Sequence, residues 1–348
     1  MLKHVQILSA VCLGAFYTFS LPSFAQSFSF GAIGDTGYSK ASEHEFDRLL
    51  IEMNKERLAF VVHVGDFEAD PRTYVRDPDK ISKPCTNEQY HKVRAQFQKS
   101  SNPLIFTPGD NDWTDCHILN FDPLERLNMV RSIFFPDGKA LGMKQFATKN
   151  QASSPQFAKF KENLSWTVNR VSFATMHIVG SNDNKGRNAE MDAEAKERTA
   201  ANIAWLQNVF AEAKKSNAIG LVLMTQANPG FETHWTPSLI DRYFRLFPGV
   251  SPPKQMPPSG FDEILTALEL QMQNYHNPVL FIHGDTHIFH VGKPLVNKKT
   301  QRFYSNFNRL EVFGDPDTHW IRVTIDPKKK DLFMIEPRIV NSNIAISR

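Results

Sequence analysis

Cysteine is scarce in this chain: its 348 residues hold three. No zinc-finger spacing can be made from them. A P-loop, a G-x-S-x-G elbow, an internal repeat and low-complexity tracts are also missing. Those absences leave no support for a P-loop enzyme, an elbow-type serine hydrolase or a solenoid. An excess of one charge is lacking too. Lys and Arg number 40 against 37 Asp and Glu, a net charge of +3. The basic residues are scattered, apart from a Lys triplet at residues 328–330, which reads as a solvated hairpin tip. No nucleic-acid-binding surface follows from such a balance. Beyond the N-terminus no stretch is apolar enough to cross a bilayer.

What is present suits a folded protein with a sizeable core: 41% hydrophobic, 22% charged and 11% aromatic residues. Lys3 and His4 precede an apolar run from Val5 to Leu21, and residues 22–25 (PSFA) end in a small-x-small site. The expectation is a signal peptide over residues 1–25, cut after Ala25, and a secreted or periplasmic mature chain. A retained anchor is the alternative. Cleavage removes Cys12 and leaves Cys85 and Cys116. In an oxidising compartment these two suggest one disulfide; two buried thiols is the other reading.

The stretch 104–116, LIFTPGDNDWTDC, is the most informative. A short apolar strand turns at Pro108-Gly109 and presents Asp110, Asn111 and Asp112 together. Alone this is as consistent with a self-capping turn as with a metal site. Other apolar runs end alike. Residues 28–34 lead to Asp35-Thr36-Gly37, residues 58–64 to Gly65-Asp66, residues 219–225 to Gln226, and residues 279–283 to Gly284-Asp285-Thr286-His287. Helical periodicity falls at 39–53, 90–98, 124–134, 190–213 and 261–273. Residues 157–160, 165–168 and 171–179 read as antiparallel strands, with a tight turn at Asn169-Arg170. Residues 136–154 read as loop with short helical turns. Short strands are expected near 311–313, 320–325 and 332–335. Strand ends of an α/β sheet converge on one crevice, so five ends bearing acids, amides and a His predict a cation site.

This order of motifs resembles the calcineurin-like metallophosphoesterase superfamily over about residues 28–325. The resemblance implies an α/β fold: a four-layer αββα sandwich of two mixed β-sheets flanked by helices. Residues 26–348 would form a single domain carrying an aromatic, proline-rich insertion at 230–260. It also implies metal-dependent hydrolysis of a phosphate mono- or diester by a hydroxide activated between two metal ions. Asp35 and His287 would hold the first metal, Asp66 would bridge, Asp110 or Asn111 would hold the second, and Gln226 and Asp285 would complete it. The partner would be a phosphorylated small molecule or another phosphoester.

The departures from the superfamily are specific. Gly37 stands where many members carry a His, and Ala69 where the purple acid phosphatase branch has a metal-binding Tyr. The usual Gly-Asn-His-Asp is Gly109-Asp110-Asn111-Asp112. Direct alignment makes Asp110 the ligand; a one-residue shift keeps Asn111. Gln226 and Asp285 replace two further histidines. The set is then nearly all oxygen, which suits Mg²⁺, Mn²⁺ or Ca²⁺ better than Zn²⁺. The pattern is similar to a secreted, mostly bacterial branch carrying Gly-Asp-Asn-[Asp/Glu]-Trp-Thr-Asp-Cys and Gly-Asp-x-His. Asn111, Asp112 and His117 are the candidates for acid, base or orienting work. His63 and His283 read equally well as core histidines. Asn182, Asp183, Arg187, His234 and Trp235 are weaker candidates for substrate contact. A catalytically weak or inactive metal- or ligand-binding protein on the same scaffold is the alternative function. A surface interaction protein using the 230–260 face is a third reading.

Overall fold

The computed structural model describes residues 26–235 and 259–344. The expected signal peptide and most of the expected insertion lie outside the described residues. Among those described, no helix is long and apolar enough to cross a membrane.

The first sheet gathers β1 (Phe28–Ile33), β2 (Val61–His63), β3 (Leu104–Phe106), β13 (Trp320–Ile325) and β14 (Phe333–Arg338) in the order β14-β13-β1-β2-β3. β1, β2 and β3 are parallel, and β13 and β14 are antiparallel additions. The expected strand at 58–64 is short as a ladder. Its flanks still bond to neighbours, Ala59 N–H to Ser29 O at 2.8 Å and Val64 N–H to Ile33 O at 2.8 Å.

The second sheet runs β4 (Lys149–Asn150), β5 (Leu164–Val168), β6 (Val171–Thr175), β7 (Gly220–Met224), β8 (Val279–His283), β12 (Phe307–Glu311), β9 (His290–Gly292). β6, β7, β8 and β12 are parallel. β5 and β6 form the expected hairpin, with Asn169 and Arg170 both at positive φ, as a tight primed turn demands. A small ribbon pairs β10 (Val296–Asn297) with β11 (Arg302–Phe303).

Residues 157–160 are not a strand. Pro155 opens a 3₁₀ turn whose bonds stay local, such as Phe160 N–H to Phe157 O at 2.9 Å. The edge partner of β5 comes from β4 instead, inside the stretch read as loop.

Helix α1 (Lys40–Asn54) begins with a reciprocal Ser39–Ser42 capping box. It buries Phe46, Leu49, Leu50 and Met53, the stripe its spacing predicts. Three helices follow before the second sheet: α2 (Pro71–Arg76), α3 (Asn87–Phe97) and α4 (Pro123–Phe134). α5 (Ala189–Lys215) and α6 (Asp262–Met272) cover the far face of the second sheet through Leu206, Phe210, Leu265 and Leu268. The inner faces of the two sheets share one core. The result is the expected four layers, helix–sheet–sheet–helix. Phe30, Phe60, Trp166 and Phe173 interlock between the sheets, with ring centroids 4.8–5.6 Å apart. Geometry of this kind adds about 0.5–1.5 kcal/mol per pair beyond burial.

Registers bring the strand ends level. Ile33, His63 and Phe106 align across the first sheet, and Met224 and Ile282 across the second. Every functional motif begins one to four residues later. Cys85 and Cys116 form the expected disulfide, with Cα atoms 5.7 Å apart and a sequence separation of 31. It ties the loop before α3 to the segment after Asp112. Replacing both cysteines by serine is expected to lower unfolding free energy by about 3–4 kcal/mol, from the closed-loop entropy. Urea titration of the two proteins checks it, and equal midpoints would rule out a stabilising tether.

Candidate metal centre

Four carboxylates meet where the two sheets join. Asp35 and Asp66 leave the first sheet at φ 50° and 53°, and Asp285 leaves the second at φ 82°. Left-handed corners at non-glycine residues cost energy and persist where the surroundings enforce them. Here backbone bonds do so: Asp35 N–H to Gly65 O at 3.0 Å, and Thr36 N–H to Asp66 O at 3.1 Å. Asp35 in turn accepts the Asp285 N–H at 3.1 Å, a contact that stitches the sheets together. Glycine keeps the space open. A Cβ on Gly109 would overlap Asp66 Oδ1, and one on Gly284 would overlap Asp35 Oδ2.

Asp110 joins the group, with Oδ2 accepting from the Ser181 hydroxyl at 2.8 Å. Gln226 sits among them. Its Oε1 accepts the Gly180 N–H at 2.6 Å, which fixes the amide. Its Nε2 therefore faces Asp66 Oδ2 at 3.0 Å, Asp110 Oδ1 at 3.0 Å and Asp285 Oδ1 at 3.3 Å. In this orientation Gln226 offers donors to the acids rather than a lone pair.

His287 completes the group from φ 64°. Its Nδ1 lies 2.7 Å from Asp315 O, an acceptor, so Nδ1 carries the proton. Nε2 is then the nitrogen that faces Asp35 Oδ1, at 3.7 Å. A carbonyl fixing the far nitrogen is how metal-ligating histidines are oriented.

Electrostatics agree. Burial, then Asp285, pushes Asp35 well above the usual carboxylate range; burial, then Asp110, does the same to Asp66. Burial and then Asp285 and Asp115 push Asp110 up to about 8. Burial raises Asp285, against the Asn228 N–H and Gln226. Among the described residues no Lys or Arg forms an ion pair with these four acids. The acids are spread openly: the closest-set group of metal-binding side-chain types, within 4.8 Å, is Glu68 with Cys85 and Cys116. The disulfide consumes both of those sulfurs. Divalent cations fit the cradle of Asp35, Asp66, Asp110, Asp285 and His287.

The remaining candidates separate. Asp112 is spent on backbone, accepting from Gly109 N–H at 2.7 Å, Phe67 N–H at 3.0 Å and Asp66 N–H at 3.1 Å. It pins the β2 and β3 ends to each other, and burial, opposed by those three bonds, pushes it up to about 7. Asn111 donates from Nδ2 to Glu68 O at 3.2 Å and Tyr38 Oη at 3.1 Å, and from its backbone to Asp66 Oδ1 at 3.2 Å. His117 is exposed, with Nδ1 against Thr114 O, and the structure does not bring it to the cradle. His63 is buried against Thr36 Oγ1, and burial lowers it to about 3. His283 is likewise buried and lowered to about 3. Arg187 and Arg72 both reach Asp115, at 3.4 and 3.1 Å. Trp235 packs on Phe303 and donates to Pro294 O. The His234 side chain lies outside the described residues.

Several contributors, Ser181, His177, Glu162, Arg131 and Tyr38 among them, were not singled out from the sequence, whereas Asn182 and Asp183 were, as substrate contacts. Ser181, Asn182, Asp183 and Asn184 all have positive φ, and this turn delivers the Gly180 N–H and the Ser181 hydroxyl. Asp183 is anchored by a fully buried Arg198. The signal was there in type: Asn and Asp tolerate left-handed backbone best. Behind Trp113, His177 Nε2 accepts the indole N–H at 3.2 Å, and His177 Nδ1 donates to Glu162 at 2.8 Å. Arg131 closes that chain on Glu162 at 2.9 Å. Tyr38 is the last: its hydroxyl donates to Asp66 Oδ2 at 3.2 Å. Burial, then Asp66 and Asp35, pushes the phenol well above its usual value.

No protein-family model matches the chain, and no curated protein matches it. Solved structures do. A dimetal phosphatase from Danio rerio superposes with TM-score 0.51 and 12% identity, over 90% of this chain and 96% of that one. PhoD superposes with TM-score 0.50 and 15% identity, over 89% of this chain and 68% of that one. At such identities the likeness establishes the fold: two mixed sheets flanked by helices, as in the calcineurin-like phosphoesterases.

An acid held above its ordinary pKa binds more protons folded than unfolded. It therefore costs stability as pH rises from about 4 toward the raised value. Chelator-treated protein is expected to melt at falling temperature between pH 5 and about 8, the value to which Asp110 is pushed. Excess Mn²⁺ is expected to recover most of the loss at pH 8. Calorimetry with and without the ion measures both. A melting temperature that rises across that window without metal would contradict the uncompensated cradle.

Proposed function

We propose that this chain is a secreted or periplasmic metal-dependent phosphoesterase. The observation that carries it is His287 Nε2, turned toward a buried Asp35 by the carbonyl on Nδ1, inside an acid cradle that no Lys or Arg among the described residues neutralises. The four-layer fold shared with a dimetal phosphatase supports the reaction class. The Cys85–Cys116 disulfide supports the compartment.

In this reading Asp35, Asp66, Asp110, Asp285 and His287 would hold two divalent cations, with Asp66 the acid expected to serve both. Asp110 is preferred to Asn111 as ligand because its carboxylate enters the cradle while Asn111 Nδ2 is bound elsewhere. The nearly all-oxygen set suits Mg²⁺, Mn²⁺ or Ca²⁺. Bound, the cations supply a hydroxide at neutral pH and offset charge on the phosphoryl oxygens. The protein does the rest by position. Asp112 keeps the β2 and β3 ends in register, and Ser181 orients Asp110. Gln226 keeps three acids at fixed spacing. The substrate would be a phosphorylated small molecule or another phosphoester.

The alternative, a catalytically weak metal- or ligand-binding scaffold, is favoured by one observation. Gln226 places amide hydrogens, not a lone pair, at the centre of the cradle. A panel of phosphomonoesters and phosphodiesters with Mg²⁺ or Mn²⁺ separates the two. Wild type is expected to turn over at least one ester class, and Asp66→Ala to lose about 10²-fold or more in rate. Equal rates in the two proteins, or none in either, would leave only the scaffold.

A further inference from the structure

Tyr38 has a chemistry that the metal cradle does not absorb. It stands three residues after Asp35, on the loop that Gly37 turns at φ 80° before α1 begins. Its ring meets the His287 imidazole edge-on, with centroids 5.2 Å apart. The phenol oxygen is therefore fixed between the ends of β1, β2, β3 and β8. The side chain is half-buried rather than sealed, so the hydroxyl lies where an incoming group can meet it.

The hydrogen bonds define what the hydroxyl can do. Asn111 Nδ2 donates to the phenol oxygen at 3.1 Å, and Glu68 O takes another Asn111 Nδ2 hydrogen at 3.2 Å. The amide thus faces Tyr38 as donor, and the phenol must act as donor in turn. A donor bonded at its own oxygen is strengthened by cooperativity. Its present acceptor, Asp66 Oδ2, already takes the Gln226 amide at 3.0 Å. Asp66 is also the acid proposed to lie between the cations. Once that oxygen serves a cation, the phenolic hydrogen needs another acceptor, and Asn111 and His287 keep it from turning away.

We propose that Tyr38 is a catalytic residue whose hydroxyl donates a hydrogen bond to a non-bridging oxygen of the phosphoryl group under attack, with Asn111 holding the phenol in line. The inference rests on the phosphoesterase reading above. A neutral donor aimed at an oxygen that gains charge in the transition state accelerates the step without moving a proton. It binds the ground state less strongly than the transition state, so its loss falls on kcat more than on KM.

Tyr38→Phe removes the hydrogen and keeps the ring against His287. With the Mn²⁺-loaded full mature chain, kcat is expected to fall about 10²-fold with KM changed far less. Metal content after dialysis and the melting temperature are expected to equal wild type. Orthovanadate, which adopts the five-coordinate geometry of the reaction, is expected to bind about tenfold more weakly; inorganic phosphate is expected to change less. Unchanged kcat and unchanged vanadate affinity would overturn the assignment. So would a variant that loses metal together with activity, because Tyr38 would then be supporting the ligands. If wild type hydrolyses no ester, the proposed function fails by itself. Vanadate binding to the loaded protein then decides the role of Tyr38: weaker binding in Tyr38→Phe supports the donor, and equal binding removes it.

Discussion

Mutual repulsion among buried carboxylates is the constraint to which the local structure answers. Asp35, Asp66 and Asp110 are buried beside a half-buried Asp285, and Asp110 and Asp285 raise the cost of ionising Asp35 and Asp66 beyond that of burial. The chain offers them partial donors in place of cationic side chains. These are the Asp285 and Asn228 N–H groups, the Ser181 hydroxyl, the Tyr38 hydroxyl and above all the Gln226 amide. Dipoles of this kind hold geometry without cancelling charge. A site so arranged would keep an affinity for a cation that an arginine in the same place would spend.

Strain is concentrated around the acid cradle. Asp35, Asp66, Asp285 and His287 each occupy left-handed backbone, as does the whole 181–184 turn. Long-range bonds and ion pairs hold these corners, including Arg198 on Asp183 and the backbone N–H groups gathered by Asp112. The buried series Trp113–His177–Glu162–Arg131 supports the same corner from behind. There burial opposes ionisation of Glu162, and Arg131 and His177 reverse it, holding the carboxyl below its usual range. The core thus stiffens the segment that carries Asp110.

Much of the fold was legible because its strands obey local rules. Apolar runs at 28–34, 104–107, 219–225 and 279–283 became β1, β3, β7 and β8, and the helical stripes fell within a few residues of α1, α3, α4, α5 and α6. Residues 157–160 misled because Phe157 and Phe160 look like strand positions, yet Pro155 commits the segment to a tight turn. Phe160 is buried instead against the Arg131 guanidinium. β9 to β11 are too short to carry a periodic signal. Within the site, the acids and His287 were readable as types at strand ends. What type cannot disclose is direction. Gln226 turns its nitrogen inward because of a single N–H on Gly180, and Asp112 is consumed by three backbone groups. Tyr38 carried no type signal, since a tyrosine opening a helix is ordinary.

The cradle draws its carboxylates from both sheets, Asp35, Asp66 and Asp110 from one and Asp285 with His287 from the other. Across this end the strand ends of the two sheets are linked by the Asp285 N–H on Asp35 and by the Gln226 amide on Asp66 and Asp110. A cation seated there acts as a cross-link between two independently hydrogen-bonded layers. Binding and cohesion of the sandwich would then share one free energy, and the loaded and empty proteins would differ in how readily the sheets part.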